Sequence, residues 1–296
     1  MKKIVLVLAF LLTISFQANA QWFWQNPLPQ GNSLYSVDFL NGNIGWTIGH
    51  LGTILKTSDG GDTWMTQYHN IPIDFFDVAF IDEDNGIVVG DSGTILKSTD
   101  GGNTWLQQIS GTTSSLKSIC FVDLNNAWIV GLDGLILKTS DGGLTWITQS
   151  TGYYISLSGV HFTDLNNGIA VGANGNIFRT TDSGATWNLT PSGTLKSLSS
   201  ISFTGMNNGI VVGSNGIILK TSDAGNSWTI KSSGTSKMLL NVSFFDMNNG
   251  SAVGTEGTII HTTDGGNVWN LQQSGTTLPL YGVECVDNNF QMVVGD

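Results

Sequence analysis

Charge is scarce in this chain. Only 11% of its 296 residues are Asp, Glu, Lys or Arg, and a single arginine, Arg179, is among them. With no basic stripe, nucleic acid and anionic membrane surfaces are disfavoured as partners. A sialoside-type site, which grips a substrate carboxylate with several arginines, cannot be built from one guanidinium. Four histidines (His50, His69, His161, His261) and two cysteines show no metal-ligand spacing, so no metal and no cofactor are expected. Phosphate-cradling loops and nucleophile elbows are missing too. Past residue 20 no apolar run is long enough to cross a bilayer, so no transmembrane segment is expected in the mature chain.

The first twenty residues are different. Lys2 and Lys3 precede an apolar stretch at 4–16 and the small-residue site Ala18-Asn19-Ala20, which reads as a signal peptide (1–20) cleaved near Ala20. The mature chain is then secreted, periplasmic or at the surface of a bacterium. No Cys follows the site, which argues against a lipid anchor. Without the two leader lysines, nine basic residues face 22 acidic ones.

Glycine, with 38 copies, is abundant and periodic. A turn of type Ser58-Asp59-Gly60-Gly61-Asp62-Thr63-Trp64 recurs six times at an interval of 41 residues. Its aspartates are Asp59, Asp100, Asp141, Asp182, Asp223 and Asp264. Each stands five residues before Trp64, Trp105, Trp146, Trp187, Trp228 or Trp269. The aspartate is expected to accept hydrogen bonds from its own turn, the glycines to permit the bend, and the indole to wedge between strands or blades. Around each turn lie a Leu-x-x-Val-x-Phe strand, a short apolar strand ending in Gly, a tight Gly-containing hairpin and a Thr-Ile-Leu-Lys strand. Val and Phe share one face, expected to be buried against the next blade.

This period with short alternating strands predicts an all-β chain, a seven-bladed β-propeller of four-stranded antiparallel blades over residues 21–296. Six blades are expected complete. The last is incomplete at the C-terminus, because its third strand would begin near residue 299, and is closed by an N-terminal strand at 22–25. Lys56, Lys97, Lys138, Arg179, Lys220 and His261 fall on the same grid and read as stems covering indoles, with heads in water or on carboxylates. Cys120 and Cys285 are one position out of phase on distant blades, which predicts two free, buried thiols.

The Gly-x-x-Gly-x-Ile-Leu-Lys-Thr-x-Asp-Gly-Gly-x-Thr-Trp pattern, seen at 90–105 and 131–146, resembles the Asp box of the bacterial neuraminidase repeat superfamily. The whole of 21–296 resembles the photosystem II stability/assembly factor-like domain family. That resemblance implies a protein-binding scaffold that chaperones a membrane complex through an arginine-rich patch. Arg179 belongs to the repeat grid and cannot make such a patch alone. The expected function is an exported, non-enzymatic scaffold that recognises a protein or glycan on one rim. Tyr153, Tyr154, Lys196 and Lys237, which depart from the repeat in loops, are the candidate binding residues. The alternative is a glycosidase of the Asp-box propeller type, which needs two carboxylates. Off the box grid, Asp38, Asp74, Asp77, Asp91, Asp133, Glu256 and Glu284 are available, and none forms a recognisable pair in sequence.

Overall fold

The computed structural model describes residues 22, 31–287 and 290–296. The expected signal peptide and most of the 22–25 segment lie outside them. Six four-stranded antiparallel sheets stand in a ring. They span 34–66, 75–108, 116–150, 157–190, 198–231 and 239–272, numbered here as blades 1 to 6. Their inner strands, Leu34–Phe39, Phe75–Phe80, Leu116–Phe121, Leu157–Phe162, Leu198–Thr204 and Leu239–Phe244, pack side by side around the axis. A two-stranded hairpin, Leu280–Cys285 with Gln291–Gly295, sits between blade 6 and blade 1 and closes the circle.

The expectation of seven four-stranded blades is overturned, because the ring has six. Counting periods made the hairpin at 280–295 the first half of a seventh blade completed by residues 22–25, whereas it stands as a two-stranded sheet. Trp22, the described residue of the supposed closing strand, is in no strand. It packs as a partly buried side chain against Val253, Ile259, Leu280 and Val283.

Within a blade the alternating pattern decides what is buried, and the structure corrects its direction. Val78 and Phe80 of blade 2 pack against Trp46, Ile48 and Ile54 of blade 1, the preceding blade and not the next. Val160 and Phe162 likewise pack against Trp128, Val130 and Ile136 of blade 3. The other face of the inner strand, at Ser36, Asp38, Asp77 and Ser243, is turned to the following blade. Phe80 lies flat on Trp46, with ring centroids 3.5 Å apart and planes 7° from parallel. Phe162 lies on Trp128 at 3.7 Å and 14°. Both indoles are fully buried. At about 25 cal/mol per Å² over roughly 150–250 Å², each contributes on the order of 4–6 kcal/mol to blade-to-blade packing.

Gly45, Gly86, Gly168, Gly209 and Gly250 stand at or next to the start of the second strand because the inner-strand Phe lies over that backbone. A Cβ at Gly86 would stand 2.5 Å from the Phe80 ring. Both cysteines are free, as expected. Cys285 is buried, and the Cys120 thiol accepts a hydrogen bond from the Phe162 N–H at 3.3 Å. Among the described residues no helix is long and apolar enough to cross a membrane.

Candidate functional site

The ring presents two rims of different chemistry. The first carries the Asp turns. In blade 3 the Thr139 hydroxyl donates to Asp141 Oδ1 at 2.8 Å and accepts from the Gly143 N–H at 2.8 Å. The Thr145 N–H donates to Oδ1 at 2.9 Å and the Thr145 hydroxyl to Oδ2 at 2.5 Å. These donors, led by the Thr145 hydroxyl, hold the partly exposed Asp141 carboxyl down at about 2. Asp223 is held at about 2 by Ser227 in the same way. The same arrangement is built on Asp59, Asp100 and Asp182. Asp264 has the Val268 N–H but no hydroxyl from that position.

The turn is also welded to its neighbour. Lys56 Nζ lies 5.2 Å from the Trp46 ring and donates to the Gly101 carbonyl of the next blade at 2.8 Å. Arg179 Nε donates to the Ala224 carbonyl at 2.8 Å. These cations therefore end on backbone carbonyls and not on carboxylates. The sole guanidinium is committed to blade packing.

Trp105, Trp187 and Trp269 are buried, and Trp64, Trp146 and Trp228 partly so. Phe80, Phe162 and Phe244 meet Trp105, Trp187 and Trp269 edge to face at 5.8–5.9 Å. Each of these contacts explains the turn by packing.

The second rim holds the loops that lead into the inner strands and the tight turns such as His50–Gly52. Here every inner strand starts with a β-bulge. The register against the second strand slips between Leu34 and Ser36, Phe75 and Asp77, Leu157 and Gly159, Leu198 and Ser200, Leu239 and Asn241, and Leu280 and Gly282. In blade 3 the slip falls at Lys117. A bulged residue is released from the ladder and its side chain re-aimed. The bulged residues are Tyr35, Phe76, Lys117, Ser158, Ser199, Leu240 and Tyr281.

Four of them meet. The Tyr35 ring lies 5.2 Å from Tyr281, edge to face, and 6.1 Å from Phe76, stacked. Lys117 Nζ stands 3.3 Å from the Phe76 centroid. Asp74 accepts from His50 Nδ1 at 2.8 Å and from the Leu51 N–H at 3.0 Å. Asp91 accepts from the Ser115 hydroxyl, and Asp296 from the Tyr281 hydroxyl at 3.3 Å.

Just below the bulges, carboxyl groups stitch blade to blade. Asp38 accepts from the Phe80 N–H at 2.7 Å. Asp77 accepts from the Ser36 hydroxyl at 2.8 Å and from the Ile119 N–H at 2.9 Å. Glu284 accepts from the Ser243 hydroxyl at 3.3 Å. All three keep some accessible surface yet are enclosed by protein atoms. Burial pushes Asp38 up to about 7, the Phe80 N–H opposing and Asp77 adding. Burial, then Asp38, raises Glu284 well above the usual carboxylate range, and burial raises Asp77. His161, on the same inner face, is pushed down to about 4 by burial.

Tyr153, Tyr154, Lys196 and Lys237 all stand on this second rim. Tyr153 tilts over Phe178 at 5.4 Å, and Tyr154 is 82% exposed and hydrogen-bonded to Asp133. Lys196 Nζ reaches the Asn215 carbonyl at 3.5 Å, while Lys237 is ion-paired with Glu256. They lie in three loops, Tyr153 and Tyr154 in one and Lys196 and Lys237 in one each. The bulge arc was missed from sequence, although one signal was there. At this position the repeat runs Tyr, Phe, Lys, Ser, Ser, Leu, Tyr, while its neighbours stay Leu or Phe on one side.

The acids considered for glycoside chemistry separate. Asp74, Asp91, Asp133 and Glu256 are rim residues, whereas Asp38, Asp77 and Glu284 are brought to neighbouring inner strands. Among the described residues no group of three or more His, Cys, Asp and Glu is placed to hold a metal.

The family described as Photosynthesis system II assembly factor YCF48 matches residues 65–151 and 151–233, together more than half of the chain. YCF48 from Cyanidioschyzon merolae superposes with a TM-score of 0.76 at 23% identity, covering 92% of this chain and 95% of that one. A structure of YCF48 bound to D1 peptide gives 0.75 at 20% identity, covering 94% of each. The GH74 xyloglucanase from Xanthomonas campestris gives 0.74 at 12% identity, covering 92% of this chain and 52% of that one. At such identities these structures speak for the fold alone. No curated protein matches the chain in sequence.

Proposed function

The chain belongs to the photosynthesis system II assembly factor YCF48 family, and from that premise we propose that it is an exported, non-enzymatic scaffold that binds a protein on its bulge rim. The observation that carries this reading is the arc of Tyr281, Tyr35, Phe76 and Lys117, whose side chains meet one another and stay partly exposed although Tyr35 also leans on the core between blades 1 and 2. A similarly folded family member is described as bound to D1 peptide, which supports a polypeptide as the occupant. Tyr153, Tyr154, Lys196 and Lys237 extend the contact surface outward from the arc. The photosynthetic partner is not carried over with the fold, since Arg179 donates to Ala224 and offers no arginine patch. Cleavage near Ala20 would place the scaffold in the envelope or outside the cell.

The test is site-specific crosslinking in the producing cell. A photoreactive residue at position 35 or 154 is expected to trap a protein, and one at Asn103 on the Asp-turn rim is not. Protein adducts from position 103 alone, or none from either rim, would refute the proposal.

A second reading, an Asp-box glycosidase, is favoured by one observation: Asp38, Asp77 and Glu284 lie together with raised pKa values in a fold shared with a xyloglucanase. Turnover of β-glucans that disappears in Asp77→Asn would establish it. Glycan binding without turnover would leave the scaffold reading and change the partner.

A further inference from the structure

We propose that the arc formed by Tyr281, Tyr35 and Phe76 is a socket for a cationic side chain, lysine or arginine, of the bound polypeptide. The proposal rests on the scaffold reading and adds the chemistry of its ligand.

Three observations converge on a cation. The first is the aromatic surface itself. Tyr35 offers its ring between Tyr281 and Phe76, and all three side chains are partly exposed. Ring faces carry negative potential and attract ammonium and guanidinium groups within about 6 Å. The second is charge. Asp74, Asp91 and Asp296 act on this arc, whereas Lys117 is the cation that stands against its rings. His50 is hydrogen-bonded to Asp74 at its edge. The carboxylates outnumber the ammonium, so the mouth attracts a positive guest and repels a negative one.

The third observation is an internal template. Lys117 Nζ already sits 3.3 Å from the Phe76 centroid, so the arc holds one of the chain's own cations by the interaction proposed for the guest. The remaining faces, at Tyr35 and Tyr281, have rings for neighbours and no cation placed over them among the described residues. An anionic guest would meet the three carboxylates. An apolar guest would use the rings but not the charge, and is separated from the proposal by the measurement below.

The probes are four decapeptides of Gly and Ser with one central Arg, Lys, citrulline or Glu, measured by saturation-transfer NMR against the mature chain. The Arg and Lys peptides are expected to bind at least tenfold more tightly than the citrulline and Glu peptides. Binding should weaken severalfold between 50 and 500 mM salt, as exposed charges are screened. The double variant Tyr35→Leu/Phe76→Leu, which keeps apolar volume, is expected to lose the Arg peptide by tenfold or more while keeping its melting temperature. Lys117→Met is expected to strengthen the Arg peptide about threefold, because the Phe76 face is vacated. A merely structural lysine would not give that gain.

Equal response to Arg and citrulline would overturn the proposal. So would an Arg signal that survives the double variant. The crosslinking test keeps the two readings apart. If position 35 traps a protein but the peptides show no charge preference, the scaffold stands and the cation socket falls. If neither rim traps a protein, the scaffold reading itself fails.

Discussion

The two rims of this ring use the same residue, aspartate, in opposite ways. On the Asp-turn rim the carboxylate lies exposed or partly exposed at the surface, meets two or three donors from its own turn, and is held ionised down to about 2, as at Asp141. Under the bulge rim it is enclosed beside other acids and pushed up, to about 7 at Asp38 and above its ordinary value at Asp77, although Ser36, Val78 and Ile119 all donate to Asp77. Donor count against desolvation decides the direction. The lesson is that periodicity marks where a residue is used by the fold. Six near-identical turns are explained by packing, whereas the bulge positions, freed from the ladder, differ from blade to blade.

That comparison can be broken at several points. The largest effect is expected in the shared packing. Trp128→Ala should cost about 3–5 kcal/mol, read as a lowered midpoint in denaturant unfolding. Tyr35→Leu/Phe76→Leu, in contrast, should leave the midpoint in place. If the two variants lose the same stability, the bulge arc is core and not a binding surface.

A smaller loss is expected on the Asp-turn rim. Asp182→Ala removes the acceptor of the Thr180 and Thr186 hydroxyls and the Thr186 N–H, and should lower the unfolding midpoint by less than Trp128→Ala does. It should leave crosslinking from position 35 unchanged, and a loss of adduct there would couple the rims.

The pH response should differ in sign between the rims. Asp38 has a folded pKa above its unfolded value, so its favourable contribution is full below about pH 4 and is lost as pH rises through about 7. Asp141 and Asp223 have depressed values, so their contributions are present above about pH 4 and lost as pH falls through about 2. Asp38→Asn should therefore raise the melting temperature at pH 8 and flatten the decline between pH 4 and 7, without touching the acid limb. A variant no more stable than the parent at pH 8 would show that Asp38 is not held protonated by its surroundings.

The smallest expected effect repairs a defect. Val268→Thr supplies the hydroxyl that the sixth turn lacks against Asp264, a gain of about 0.5–1 kcal/mol. No gain would mean that the hydroxyl adds nothing beyond the N–H.

Much of the fold could be read from the sequence. The inner strands Leu34–Phe39 through Leu280–Cys285 begin where the repeat put them, because a turn seen six times at one spacing averages out local ambiguity. The blade count could not be read in this way. A period is a length, and it does not distinguish a sheet of four strands from a hairpin that fills the same gap. The facing of Val78 and Phe80 was reversed for a related reason: alternation fixes two faces and leaves open which neighbour each one meets. The rim loops at Tyr153 and Lys237 were noticed because they break the repeat. The bulge arc was passed over because a strand position was taken to be packing, and a bulge at residue 35 depends on hydrogen-bond register that one sequence does not display.

The bulge at the head of each inner strand also behaves as a variable letter in a fixed text. Leu34 before it and Val37 two residues after it are tied to blade packing, whereas the letter itself differs from blade to blade. In this chain the word around the mouth is Tyr-Phe-Lys-Ser-Ser-Leu-Tyr, aromatic and charged on one arc and two serines and a leucine on the other. Chains with the same turns and the same strands can spell different words there. Selectivity can then diverge one letter at a time while the architecture stays the same.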